Sequence, residues 1–401
     1  MLPVAEAQRR IWAAFEPMAA EWLGLDRAHG RILAQDLLAR RDQPPQAVSA
    51  MDGYALRAAD SGDPARVLQI VGEVPAGAPW PGTVGPGEAV RIFTGGCVPD
   101  GTDAILIQEN AAADGRSLRC LEPTTAGRFV RRRGLDFVTG WRGLVAGRRL
   151  DPLPLGLAAS MGHAWLPVRR RPRIGLLATG DELAWPGETP GPGRIVSSNT
   201  TAVGAMIRAW GGVPVDLGIC PDDPASLGRA LDGIAGLDLL VTSGGASVGD
   251  YDLVKQTLGA RGLELDFWKI AMRPGKPLVF GRLAGVPVLG LPGNPVSAAV
   301  CAIVFLRGAV RRMLGIDPEL PVESLPTASP LPANDGRQDY LRATIAQGPG
   351  GEHVAPASAQ DSSMFATLAD AAALLIRAPH AAPLPAGVET TILRLAALSN
   401  G

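Results

Sequence analysis

Three short apolar runs, each ending in a glycine turn, constrain this chain most. They are Ile174–Ala178, running into Thr179-Gly-Asp-Glu-Leu183; Leu237–Val241, running into Thr242-Ser-Gly-Gly-Ala-Ser-Val-Gly249; and Val286–Leu291, running into Pro292-Gly-Asn-Pro295. Apolar runs of this length are strands buried on both faces. Between them the spacing predicts helices. Asn199 is expected to cap one whose Val203, Met206, Ile207 and Trp210 form a stripe, with Gly211 stopping it. Val213–Ile219 is a further strand, and Asp223 with Pro224 starts a second helix. Leu253, Val254 and Leu258 share the face of a third. A basic loop, Ile270–Pro277, feeds strand Leu278–Phe280, and a long apolar helix runs from the 292–295 turn to about Leu314. Strands alternating with helices imply a parallel sheet with right-handed crossovers. Ligands of such sheets bind outside the carboxyl ends of the strands, where all three glycine turns lie.

The turn at 242–250 allows two chemistries. Adjacent Gly244 and Gly245 let the backbone approach a ligand closely. A glycine turn before a helix start favours an anion. Asp250 and Asp252 sit where that anion would sit, which brings in a divalent cation between carboxylate and phosphate. The plain alternative is a tight strand–helix connection with an acidic cap. The spacing is not that of a P-loop. At 179–182, Asp181 and Glu182 offer two carboxylates over the same crevice, with Asp181 either a cap or a ligand.

The rest of the chain has a different character. Val4–Ala20 and Leu25–Leu38 read as helical, the second interrupted by Gly30. Arg40–Pro45 breaks the pattern. Val67–Val74, Glu88–Phe93, Ala104–Ile107 and Ser117–Leu121 are strand-like and separated by turns, so residues 66–138 form a small β-rich region. Asp52-Gly53 reads as a turn, and Arg91–Ile92–Phe93–Thr94–Gly95 ends a strand in a Thr/Gly turn. Arg131-Arg-Arg-Gly-Leu-Asp136 is either a solvated basic face or an oxyanion holder. Leu153–Met161 is a short helix. Pro318–Pro332 is proline-rich, and the strand-like runs 337–345, 373–377 and 389–395 form a last small β domain.

Composition narrows the function. At 401 residues the chain holds two to four domains. A net charge of −1 supplies no basic field for nucleic acid or anionic membrane. The four cysteines are far apart with no C-x-x-C pair, which argues for reduced thiols and against a zinc site. No signal-peptide pattern opens the chain and no apolar stretch is long enough for a bilayer, so a cytoplasmic protein is expected. No Ser-His-Asp or Cys-His arrangement is visible, so covalent nucleophilic catalysis is not expected.

Six motifs in order resemble those of the molybdopterin molybdenumtransferase family, the MoeA proteins and the gephyrin E domain. They are Ser49-Ala-Met-Asp-Gly-Tyr-Ala55, Arg91–Gly95, Thr179–Leu183, Thr242–Gly249, Ala271-Met-Arg-Pro-Gly-Lys-Pro277 and Leu291-Pro-Gly-Asn-Pro-Val-Ser297. One departure is Leu135, where the resembling proteins commonly carry Glu. The resemblance implies an α/β multidomain fold: a linking region at 1–40 and 141–170, a β-rich insert at 41–140, a parallel α/β molybdopterin-binding domain at 171–318 and a small barrel-like β domain at 319–401. It implies Mg²⁺-assisted transfer of molybdenum from molybdate to adenylated molybdopterin with release of AMP. Asp52, Thr94, Asp136, Glu182 and Asp252 would then work in the reaction. Asp181, Ser243, Gly244, Gly245, Ser247, Lys269, Arg273, Lys276, Pro292, Gly293, Asn294 and Pro295 would bind substrate, and Asp222 and Asp252 would hold Mg²⁺. Either Asp250 or Asp252 could match the family's acidic position; Asp252, three residues before Lys255, is preferred. An elongated homodimer with sites shared between subunits is implied too, and the molybdopterin adenylyltransferase is a candidate partner. Two other readings compete. A molybdopterin adenylyltransferase would need only the α/β domain, and a gephyrin-like scaffold would tolerate loss of the acidic residues.

Overall fold

The computed structural model describes residues 1–244, 259, 262–348 and 350–398. The helical pattern at 253–258 lies outside these residues. The chain divides into two compact units. One comprises Met1–Glu21, Gly30–Ala34 and Val168–Gly401; the other comprises Trp22–His29 and Gln35–Pro167.

The first unit is built on a six-stranded sheet. Its order is Val213–Cys220, Arg173–Thr179, Leu239–Ser243, Val286–Leu291, Pro277–Leu283, Glu264–Lys269. The first four strands are parallel, as the alternation predicted. Pro277–Leu283 is reversed: it pairs antiparallel with both neighbours, so the expected all-parallel sheet is corrected to a mixed one. The cause is local. Ala284 (φ 47°) and Gly285 (φ 83°) both take positive φ, the geometry of a two-residue hairpin turn, so the chain reverses without a crossover.

Helix Asn199–Ala209 buries Val203, Gly204 and Ile207, and helix Pro224–Asp232 starts with Asp223 accepting from Ser226 N–H at 2.8 Å. The expected stripe and the second cap are both present. Pro295–Met313 is helical throughout, with a π turn at Ala302–Leu306. Every residue from Val296 to Val310 is buried, and each large aliphatic side chain so buried contributes about 1.5–3 kcal/mol. The wider turn displaces carbonyls from the helical ladder. Two of them accept from the first helix, Val304 from Gln8 Nε2 and Phe305 from Trp12 Nε1, each at 3.2 Å.

That first helix is Val4–Ala13, not Val4–Ala20. Pro17 cannot donate to a helical ladder, and Met18 N–H instead bonds Met313 O at 2.7 Å. The helix expected over Leu25–Leu38 is also absent. A single 3₁₀ turn, Leu25–Arg27, is followed by Gly30 at φ 71°, and Leu37–Leu38 pairs as a strand with Arg142–Leu144.

A second sheet closes the first unit, in the order Met272–Arg273, Gln338–Gly348, Ala373–Arg377, Glu389–Arg394, Val322–Pro326, with Gly351–Pro356 beside Gln338–Gly348. The expected C-terminal β domain is therefore a six-stranded sheet, and one of its strands comes from the basic loop.

The second unit holds a sheet in the order Ala104–Ile107, Gly53–Leu56, Glu88–Ile92, Val67–Val74, Ser117–Cys120, Ala111–Asp114. All four expected strands form. Ala111–Asp114, with three alanines and no β-branched residue, gave no strand signal and forms by pairing with Ser117–Cys120. Gly53 is not a turn residue. It opens a strand, and a Cβ there would stand 2.0 Å from Leu106 O. Among the described residues no helix is long and apolar enough to cross a membrane.

Candidate active site

Parallel pairing sets Ala178 opposite Ser243, and Ser243 opposite Leu291. The three strands therefore end at one edge, and their turns meet there. A cleft of about 430 Å³ opens at this edge. Thr179, Glu182, Ser243, Gly244, Gly293, Asn294 and Pro295 line it, together with Ser197–Asn199, Ser363 and a small apolar wall that includes Leu183, Ile195 and Val196. Six of the anticipated site residues thus share one cavity: Glu182, Ser243, Gly244, Gly293, Asn294 and Pro295.

Asn199 was expected to cap its helix. It makes no side-chain cap; Ser198 occupies that position, also without a cap bond. The Asn199 amide points across the sheet edge instead. Its Nδ2 donates to Ser243 Oγ at 2.8 Å and to Gly293 O at 2.7 Å. One side chain thereby ties two of the strand-end turns together. Thr179 is 2% exposed, and its Oγ1 has no hydrogen-bond partner among the described residues. A Cβ on Gly244 would lie 2.2 Å from Thr179 O and 3.1 Å from its Oγ1, so only glycine allows the two turns to approach this closely. Thr179 and Asn199 are the residues that the sequence reading missed here. Both look like ordinary strand-end and cap residues until the sheet register brings distant turns together.

Carboxylates gather beside the cleft. Asp181 Oδ1 accepts from Asp222 N–H at 3.1 Å. The Asp222 carboxyl is pushed above its ordinary range, first by burial and then by the nearby negative charges of Asp181 and Glu182. Among the described residues no three such side chains are grouped closely enough to hold a metal ion by themselves. The anticipated acids Asp250 and Asp252, with Gly245 and Ser247, lie outside the described residues.

The basic loop behaves differently. Arg273 Nε donates to Asp339 Oδ1 at 2.9 Å, and its Nη2 bonds Asp339 Oδ2 in a bidentate pair. The same guanidinium reaches Asp335 and Asn334. Its fork is thus engaged with the C-terminal sheet. Lys269 Nζ stands 4.6 Å above the Trp268 ring, and Lys276 is exposed. Neither these residues nor Pro292 line the cleft.

In the second unit, Asp52 and Thr94 meet. Thr94 donates to Asp52 Oδ1 from its N–H at 2.7 Å and from its hydroxyl at 2.8 Å. These bonds, with the Arg91 charge behind them, hold the Asp52 carboxyl below its usual range. Arg91 stacks on Tyr54 and Phe93, 5.1 Å from each ring centroid, and donates to Gln108 Oε1 at 2.8 Å. Asp136 is exposed, its backbone N–H bonded to Gln43 O at 2.9 Å.

Comparison with known proteins places this architecture. Residues 2–162 match the family model of the MoeA N-terminal region (domain I and II), residues 175–312 a probable molybdopterin binding domain, and residues 324–395 the MoeA C-terminal region (domain IV). The chain belongs to the molybdopterin molybdenumtransferase (MoeA) family of enzymes. It is 37% identical over 356 residues to molybdopterin molybdenumtransferase 2 of Mycobacterium tuberculosis, covering 86% of this chain and 88% of that one. It is 31% identical to the molybdopterin molybdenumtransferase of Bacillus subtilis, covering 94% and 90%. The fold matches a molybdopterin biosynthesis MoeA protein from Pyrococcus horikoshii with TM-score 0.88 at 26% identity, covering 98% and 99%.

Proposed function

We propose that this enzyme inserts molybdenum, supplied as molybdate, into adenylated molybdopterin and releases AMP with the help of Mg²⁺. The observation that carries the reading is the single sheet edge where a cleft lined by Gly244, Gly293 and Glu182 opens, with the Asp181–Asp222 contact beside Glu182. Family membership narrows that chemistry to molybdenum cofactor synthesis. Glu182 accepts from the pterin's N–H and amino donors, which a carboxylate matches. Asp222 and Asp252 would hold the cation, and Asp181 steadies Asp222 by accepting from its backbone N–H. Bound Mg²⁺ would supply charge neutralisation at the adenylyl phosphate. Lys269 and Lys276 attract the anionic substrates from the rim. Arg273, in its pairing with Asp339, sets the conformation of the loop bearing Lys276. Asp52, Thr94 and Asp136 complete the site from a second subunit of a cytoplasmic homodimer. The presence of the insert and the C-terminal sheet favours this activity over adenylyltransfer by an α/β domain alone.

The test is molybdenum insertion assayed with adenylated molybdopterin, molybdate and Mg²⁺. Wild-type protein should release AMP and form molybdenum cofactor. Glu182→Gln should lower the rate by orders of magnitude while stability moves by no more than about 1 kcal/mol, the scale of a surface change. Full activity in Glu182→Gln would reject that residue's role, and no activity in the wild type would reject the function.

A further inference from the structure

The basic loop has a shape that its own side chains do not supply. Strands Glu264–Lys269 and Pro277–Leu283 pair antiparallel, and their last rung sets Lys269 opposite Pro277. Beyond it, Ile270–Lys276 carries Arg273 and Lys276, with Lys269 at the root and no acid among them. Like charges so near one another repel, which favours a spread loop over a folded one. The backbone is instead fixed from outside, on two sides. On one, Gln338 N–H donates to Ala271 O at 2.9 Å, continuing the edge where Met272–Arg273 meets Gln338–Asp339. On the other stands Leu2.

Leu2 forms an isolated parallel bridge with Ile270. Its N–H donates to Lys269 O at 3.1 Å, and its carbonyl accepts from Ala271 N–H at 2.8 Å. Within the loop, Ile270 N–H donates to Lys276 O at 3.1 Å. The residue that Leu2 brackets is therefore the one that ties Lys276 to Lys269. Leu2 is itself well fixed. Its side chain packs against the main core. Only Pro3, whose ring sets its φ, separates it from helix Val4–Ala13, where Val4, Ala7, Ile11 and Trp12 are buried. Arg10 Nη1 pairs with Asp266 Oδ1 at 2.9 Å and joins that helix to the strand ending in Lys269. An extended residue laid on an edge acts through main-chain bonds, so its hold on the loop does not depend on the charges the loop carries.

We propose that Leu2 is a positioning residue for the rim lysines: by bridging Lys269–Ala271 it fixes the backbone that presents Lys269 and, through Ile270, that of Lys276. Loss of the bridge loosens the capture of an anion and leaves the chemical step alone. The inference rests on the reading of Lys269 and Lys276 as the charges that attract anionic substrate.

The experiment compares the full-length wild type with Leu2→Asn, which removes the apolar surface that seats residue 2, and Leu2→Ile, which keeps it. Hydrogen exchange of the peptide containing Ala271 reports the loop. Leu2→Asn should speed that exchange roughly tenfold, the scale of one backbone hydrogen bond opened. Calorimetric titration with molybdate alone, and KM and kcat for molybdate in the insertion assay, report the consequence. Affinity should fall and KM should rise by about two- to fivefold, the scale of one exposed charge interaction, with kcat unchanged. Leu2→Ile should match the wild type throughout. Adding Leu2→Asn to Lys269→Met should cost no further affinity, because residues that act through one another are not additive. Unchanged exchange in Leu2→Asn overturns the proposal. So does faster exchange with unchanged molybdate affinity, or a full Leu2→Asn penalty on the Lys269→Met background. A fall in kcat alongside the melting temperature, with KM unmoved, would make Leu2 structural only and reject it too. A wild type that binds no molybdate removes the proposal together with the rim charges. Faster exchange and weaker molybdate binding in a protein that inserts no molybdenum would overturn the functional reading and leave the bridge standing.

Discussion

The Asp222 carboxyl shows how a residue's neighbours reveal its use. Its side chain reaches the surface, yet partial burial, with Asp181 and Glu182 nearby, raises the carboxyl's pKa above its ordinary value. A carboxyl whose pKa is raised on folding costs stability once the pH exceeds its unfolded value, and the cost vanishes as pH falls below about 4. Asp222→Asn should therefore raise the urea midpoint at pH 7 and leave it unchanged near pH 3. Mg²⁺ should stabilise the wild type more than the variant, because ligand bound only to the native state adds to its stability. A variant less stable at pH 7, or an equal response to Mg²⁺, would remove Asp222 from the proposed metal site. At this scale sequence was a partial guide. Glu182, Ser243 and the 293–295 turn were legible from strand ends and turn chemistry. Asn199 was not, because an asparagine before a helical stripe is indistinguishable from a cap until the strand carrying Ser243 is placed beside it. Thr179 was missed for the same reason: an orphaned hydroxyl is a property of its surroundings.

Among the elements, the helix at Pro295–Met313 depends on one small residue. A Cβ at Gly308 would lie 2.2 Å from Trp12 Nε1 and 2.3 Å from its Cε2. The indole is itself held by the carbonyl that the π turn displaces. Gly308→Ala should push the first helix off its seat and cost about 1–3 kcal/mol, the scale of overpacking in a close-packed core, measurable by urea denaturation. Trp12→Phe in the same background should recover part of that loss, since it removes the ring atoms nearest the new methyl. No recovery would mean that the strain lies elsewhere. Periodicity located this helix and most strands because their apolar residues are consecutive or evenly spaced. It misjudged Leu25–Leu38, whose apolar positions suit a helix but whose backbone pairs elsewhere, Leu33 with Val168 and Leu37–Leu38 with Arg142–Leu144. It also missed the reversal at Ala284-Gly285. That hairpin turn carries an alanine at positive φ, a choice that no turn rule favours.

For the whole molecule, the anticipated reaction and metal residues fall on two compact units: Asp52, Thr94 and Asp136 on one, Glu182 and Asp222 on the other. On the proposed reading, one complete site draws on both units from different subunits. Asp52→Ala and Glu182→Ala proteins, each inactive alone, should regain a fraction of molybdenum insertion when mixed and allowed to exchange, since one hybrid site is intact. No rescue, or a monomer by light scattering, would reject shared sites. The pairing of Arg273 with Asp339, and of Met272–Arg273 with Gln338–Asp339, bears on how such enzymes can be recombined. The C-terminal sheet looks like a detachable module, yet it buttons onto the loop that presents Lys276. A chimera that imports this sheet from a relative must bring an acid at 339 and keep the strand edge there free. Without both, the graft would dock neatly on its own core and still leave the host's basic loop without its clasp.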